Sequence, residues 1–313
     1  MSEVVGPRPR VPTAGAPRAG APSLAARQAR LAWLLLSPSL TVVLLVAIFP
    51  LVQTVVLSLT TARLASPEPA RFVGLSNYAA LLGDYLFWQS IGVTLQFAVI
   101  TVSGEFVLGL FIALLVNAQF RGRGLVRAAM LVPWAIPTVI AAQMWKWMYH
   151  DVYGVVNDLL VATLGVLPAN VAWLADPTTA LAVVALVDIW KTTPFVALLL
   201  LAGLQVIPEE LYEAARVDGA SALQQLVQIT LPLLRPAILV ALVFRTLDAL
   251  RVFDVFYVMF GERPDTMTMA IYNQETIVAF ADVGYGAAIS MVIFLIIGIC
   301  VVAYVTLLRV EAP

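Results

Sequence analysis

"EAARVDGASALQQLVQITLP", residues 213–232, is written like a pair of small water-soluble helices, yet it lies between two long apolar runs in a chain that is 61% hydrophobic. The flanking runs decide the setting. With 313 residues, 12% of them charged, and a mean hydropathy of +0.94, the chain carries more apolar surface than a water-soluble core of this size can hide. Runs of about 20 apolar residues cross about 30 Å of hydrocarbon. Such runs fall near 31–59, 91–116, 125–148, 180–205, 234–258 and 287–308. The spacing predicts an all-α integral membrane protein with six transmembrane helices.

Residues 1–30 are rich in Pro, Ala, Gly and Arg. They offer no apolar face to offset the entropy of ordering and are expected to be a disordered tail. The apolar run that follows is about twice the length of a signal-peptide core, so it is expected to remain as an anchor. The single cysteine, Cys300, lies in the last run and can close no internal disulfide, which leaves packing as its role. The near-zero net charge gives no sign of a nucleic-acid partner.

Orientation follows from Lys and Arg, which favour the cytoplasmic side of short loops. The tail carries Arg8, Arg10, Arg18, Arg27 and Arg30, and the second loop carries Arg121, Arg123 and Arg127. Loop 149–179 has no Lys or Arg but holds Asp151, Asp158 and Asp176, which places it outside. Both termini and the loop 206–233 are then expected in the cytoplasm.

Within that loop, Pro208 stands at a first helical position with Glu209 and Glu210 in the first turn, and Gly219 ends the helix. Ser221 and Gln224 form a capping box for a second helix expected to stop at Pro232. Ala214 and Ala215 leave a smooth face for a partner. A loop lying on lipid headgroups is the plainer alternative. The acidic lean of Glu209, Glu210, Glu213 and Asp218 opposes it, because an anionic leaflet attracts Lys and Arg.

The same stretch fits the pattern E-A-A, three residues, G, nine residues, I-x-L-P, and so resembles the signature loop of permease subunits in binding-protein-dependent ABC importers. "FVGLSNY" (72–78), "PWAIPTVIAAQMWKWMY" (133–149), "GVVNDLL" (154–160), "LAGLQVIPEELYEAA" (201–215) and "RVFDVFYVM" (251–259) extend the resemblance to the carbohydrate branch, of the maltose permease type. "GERP" at 261–264 departs from the Gly-Gly-Pro often found after the fifth span. The resemblance implies a type I importer permease over 31–313, with 206–233 as a cytoplasmic coupling loop. Glu213, Ala214, Ala215, Asp218, Gly219, Ile229, Leu231 and Pro232 would grip an ATPase. It also implies a bacterial or archaeal inner membrane, and as partners a second homologous permease, two ATPase subunits and an extracytoplasmic sugar-binding protein.

The motor is not in this chain. A P-loop needs a Gly-Lys pair, and the two lysines, Lys146 and Lys191, each follow a Trp. One histidine, His150, and one cysteine exclude the usual zinc motifs. The expectation is a non-catalytic subunit without cofactor, ATP being bound by partner chains.

Ionisable groups inside spans are costly and usually face a cavity or a charged partner. "VDIWKTTPF" sets Asp188, Lys191, Thr192 and Phe195 along one side of the fourth span, with Pro194 as a kink. "RTLDALRVFD" spaces Arg245, Asp248, Arg251 and Asp254 by threes on the fifth. One reading makes these internal ion pairs. The other makes Asp188, Lys191, Thr192, Phe195, Arg245 and Asp248 line a path for a disaccharide or short oligosaccharide of the trehalose/maltose kind. Glu105 has no partner nearby in sequence and stays unassigned. Trp134, Trp145, Trp147 and Trp190 could stack on sugar rings, with an interfacial belt the preferred reading for Trp145 and Trp147. Uptake of glycerol phosphate or a polyol, or an ion-coupled secondary transporter, are the alternatives. The second would normally show interrupted spans in two corresponding halves.

Overall fold

The computed structural model describes residues 24–308. Of the expected tail, residues 1–23 lie outside the described residues, whereas helix α1 begins at Leu24. The chain divides after Gln53 into two units. Helix α1 (Leu24–Val43) passes through a π turn (Leu44–Ile48) into α2 (Phe49–Ser58), which carries on into the second unit. A 31-residue apolar helical run from Gln28 to Ser58 results, long enough to span a membrane.

In the second unit the elements are α3 (Ser76–Leu82), α4 (Tyr85–Asn117), α5 (Arg123–Met130), α6 (Val132–Ala135), α7 (Thr138–Met148), α8 (Val155–Asn157), α9 (Pro177–Leu204), α10 (Glu209–Val217), α11 (Ala222–Gln225), α12 (Leu231–Leu250), α13 (Asp254–Phe260), α14 (Met269–Val278) and α15 (Val283–Leu308). Helix α4 starts where the Asp84 side chain accepts from the Phe87 amide, and α9 where Asp176 accepts from Thr178 and Thr179. Each cap satisfies donors that the first turn leaves free.

Helices α4 and α9 run side by side as the central pair. Lipid offers no hydrophobic drive for association, so close backbone approach matters. Gly109 supplies it: a Cβ there would come within 2.8 Å of Val196 Cγ1 and 3.2 Å of the Ala197 amide nitrogen. Near the ends of α4 and α9, Val116, Leu200, Leu201 and Leu204 form one buried cluster with Leu234 of α12, and Met130, Leu231 and Leu308 pack on it. The 118–131 turn and the 206–230 loop therefore share one end of the bundle.

Three expectations are corrected. The expected span 125–148 is broken: residues 123–135 and 138–148 are bent by 87°. Ile136, before Pro137, takes the extended conformation (φ −72°, ψ 130°) that a following proline imposes. Among the described residues, five helices are long and apolar enough to cross, or six if the bent pair is one span. Pro232 does not stop the second loop helix, because α11 runs through a π turn (Leu226–Thr230) straight into α12. A proline inside a helix removes one backbone hydrogen bond, and the π turn immediately before Pro232 is where the hydrogen-bond ladder is adjusted. The fifth span's α12 ends at Leu250, and Asp254 opens α13, so the evenly spaced charges do not share one helix.

Candidate functional site

The loop is built as its local signals require. Pro208 is the N-cap, one position before the first turn that holds Glu209 and Glu210. At the other end Gly219 adopts φ +78°, its amide reaches Arg216 O (3.1 Å), and the Ala220 amide reaches Ala215 O (2.8 Å). This pairing is the Schellman motif, which is cheap only for glycine at that position. Ser221 and Gln224 complete the capping box in both directions, 2.7 and 3.3 Å. Tyr212 Oη and Thr230 Oγ1, 3.0 Å apart, then fold the first helix back against the second. Glu213, Ala214, Asp218 and Gly219 are exposed and Ala215 half-buried, whereas Ile229, Leu231 and Pro232 are half-buried at the junction with α12. The loop thus has a presenting part and an anchoring part.

About 24 Å of helix separates Leu204, where α9 ends, from Asp188. There the six residues singled out for a path, Asp188, Lys191, Thr192, Phe195, Arg245 and Asp248, stand around one cavity of about 630 Å³. Trp134 and Thr138 from the bent 123–148 segment, and Arg251 to Val255 from the break between α12 and α13, complete its wall. Of these, Trp134 stood among the rings that could stack on a sugar and Arg251 and Asp254 among the spaced charges, whereas Thr138, Val252, Phe253 and Val255 carry no signal of their own in the sequence. The Trp134 ring stacks on Phe195 (centroids 5.8 Å, planes 13° apart) and remains half exposed.

Glu105 is placed behind this wall. Fully buried on α4, it receives Arg245 Nη2 (2.8 Å), Arg245 Nε and the Thr192 hydroxyl. Arg245 Nη2 also lies 3.0 Å from Asp188 Oδ2, while Nη1 is 3.4 Å from Asp248 Oδ2. Arg245 is therefore committed to carboxylates of its own chain. Asp248 differs, since its side chain is 59% exposed toward the cavity. Lys191 is buried and makes no hydrogen bond or ion pair with any described residue. Arg251 does not pair with Asp254; its Nε donates to Leu247 O at 3.2 Å. Pro194 sits within α9, which continues unbroken past it.

Elsewhere, the half-buried Trp145 contacts Tyr149 and Trp190 (5.7 and 5.3 Å), whereas Trp147 is 63% exposed. Lys146 donates to Val258 O (2.9 Å), tying α7 to α13. His150 stacks on Tyr153, and Cys300 packs against the core. In the GERP segment Arg263 pairs with Asp265 and donates to Leu174 O and Ala175 O, fastening it to the 149–176 loop. Among the described residues no cluster of three or more His, Cys, Asp or Glu could hold a metal ion.

A family model described as a binding-protein-dependent transport system inner membrane component matches residues 105–310, which takes in the loop, Glu105 and every cavity residue. The chain belongs to that family. As a permease of this family it resembles the trehalose/maltose transport system permease protein MalF of Thermococcus litoralis, 46% identical over 87% of this chain and 91% of that one. It is 42% identical to the sulfoquinovosyl glycerol transport system permease protein SmoG of Agrobacterium fabrum (90% and 91% covered). To the trehalose transport system permease protein SugA of Mycobacterium tuberculosis it is 39% identical (91% and 90%). In fold it matches the crystal structure of a bacterial ABC transporter involved in import of the acidic polysaccharide alginate, with a TM-score of 0.76 at 23% identity, covering 92% of this chain and 98% of that one. The permease is thus a multi-pass inner-membrane transport subunit of the type I fold.

Proposed function

We propose that the permease forms half of the translocation path of an ATP-driven sugar importer, for a disaccharide or short oligosaccharide of the trehalose/maltose kind. Its partners are a second, homologous permease, two ATPase subunits gripped by 213–232, and an extracytoplasmic sugar-binding protein. The observation that carries this reading is the cavity. Its roughly 630 Å³ falls among small-ligand pockets, and it offers acceptors (Asp248, Asp254) and donors (Lys191, Arg251) within reach of one ligand. A sugar hydroxyl both donates and accepts, so such a mixed wall suits it. The half-exposed Trp134 ring gives a flat apolar surface for the C–H face of a pyranose.

A phosphorylated substrate could not draw on Arg245, which is already engaged by Glu105, Asp188 and Asp248, and would have to be neutralised by Lys191 and Arg251. Nucleotide chemistry is assigned to the partners, since the chain has no Gly-Lys pair for a P-loop. The sidedness that fits is cytoplasmic for both termini and for the end bearing 118–131 and 206–230, where the arginine-rich turn lies.

The complete complex in proteoliposomes tests the reading. Uptake of a neutral disaccharide should require ATP and the binding protein and survive an ionophore. Uptake that ignores the ATPases and collapses with the ion gradient would establish a secondary transporter instead.

A further inference from the structure

We propose that the elbow between α4 and α6 is a binding site for the headgroup of an anionic phospholipid. Between Glu105 and Asp151 the sequence contains no acid, and within this stretch Arg121, Arg123 and Arg127 crowd into seven residues. Gly122, at φ +88°, turns the chain into α5. The 123–135 segment then lies at 87° to 138–148, across the direction in which that helix runs.

Arg121 and Arg123 are exposed, and their side chains make no hydrogen bond or ion pair with any described residue. Arg127 gives Nη2 to Val116 O (3.0 Å), a terminal carbonyl of α4, while its Nε is buried without a partner. Beside these cations Leu125, Val126 and Val132 are 77%, 43% and 58% exposed. A short amphipathic helix with arginines along one edge and bare aliphatic groups along the other matches a membrane interface, with phosphate against guanidinium and acyl chain against the aliphatic side.

Charge sets this surface apart from the coupling loop at the same end. That loop bears Glu209, Glu210, Glu213 and Asp218 against a single Arg216, so one partner cannot complement both. The acidic surface is left to a protein and the basic, aliphatic one to lipid.

The test uses the assembled complex equilibrated with mixed phosphatidylglycerol and phosphatidylcholine, then stripped in detergent and examined by native mass spectrometry. Retained lipid should be enriched in phosphatidylglycerol. Arg121→Gln and Arg123→Gln should each lower that enrichment about fivefold, while the Arg→Lys pair keeps most of it. Enrichment unchanged in the double Gln variant overturns the proposal. So does loss of ATPase subunits at an unchanged lipid ratio, which would give the elbow to a protein partner. Both ends of the complex meet the same lipids, so the outcome depends neither on sidedness nor on the sugar. A complex that fails to move sugar yet keeps the enrichment would count against the transport reading alone.

Discussion

Arg245 of α12 and Glu105 of α4, 140 residues apart, close a two-point contact in the bundle interior: Nη2 is 2.8 Å from Oε1 while Nε meets Oε2. With Thr192 and Asp188 of α9 at the same guanidinium and carboxylate, three helices are fastened at one buried point. Where such a pair is buried, its net stabilisation is small, but removing one member strands a charge.

Truncating Glu105 or Arg245 to Ala should therefore lower stability by about 3–5 kcal/mol and reduce assembly. Glu105→Gln, which keeps an acceptor for Thr192, should cost less. Retention of monodisperse complex after heating, followed by size-exclusion chromatography, measures the effect. Wild-type heat resistance of Arg245→Ala would show that the cluster does not hold the helices together.

Asp248 belongs to the other category. It contacts Arg245 at only 3.4 Å and its side chain is 59% exposed, so it adds little to stability. Asp248→Ala should leave assembly intact and reduce sugar uptake roughly tenfold, the scale of one hydrogen bond to a charged group. Unchanged uptake would remove Asp248 from the path.

At the start of α4, burial raises the Asp84 carboxyl, but hydrogen bonds from Tyr272 and Tyr285, and from the Phe87 and Leu86 amides, outweigh it and hold the group below the usual carboxylate range. The folded protein then binds this proton more weakly than the unfolded chain. The stabilisation is complete above the unfolded value, about 3.9, and is lost as pH falls through the lower folded value. A pH series of unfolding temperatures should show a steeper acid decline in wild type than in Asp84→Asn. Parallel curves would mean that this carboxylate does not contribute.

Much of this was legible in order along the chain. The runs near 91–116, 180–205 and 287–308 became α4, α9 and α15 because each is long and predominantly apolar, with few or no charges. The elbow was legible because Gly219 and the Ser221–Gln224 box act within three residues of themselves. The 87° break in 123–148 was not, since apolar composition is the same for a straight and a bent span; Pro133 and Pro137 were its only sign. The break at Val252 and Phe253 carries neither Pro nor Gly, so nothing local marks it. Glu105 remained unassigned because its partner, Arg245, is set by packing and by no spacing rule.

The most direct measurement is binding-protein-stimulated ATP hydrolysis by the reconstituted complex, with the intact chain and with variants at Gly219, whose φ of +78° is closed to proline and open to asparagine. The account predicts that Gly219→Pro abolishes stimulation with assembly retained, while Gly219→Asn keeps most of it. Stimulation that persists in Gly219→Pro would contradict the claim that this elbow couples the permease to its motor.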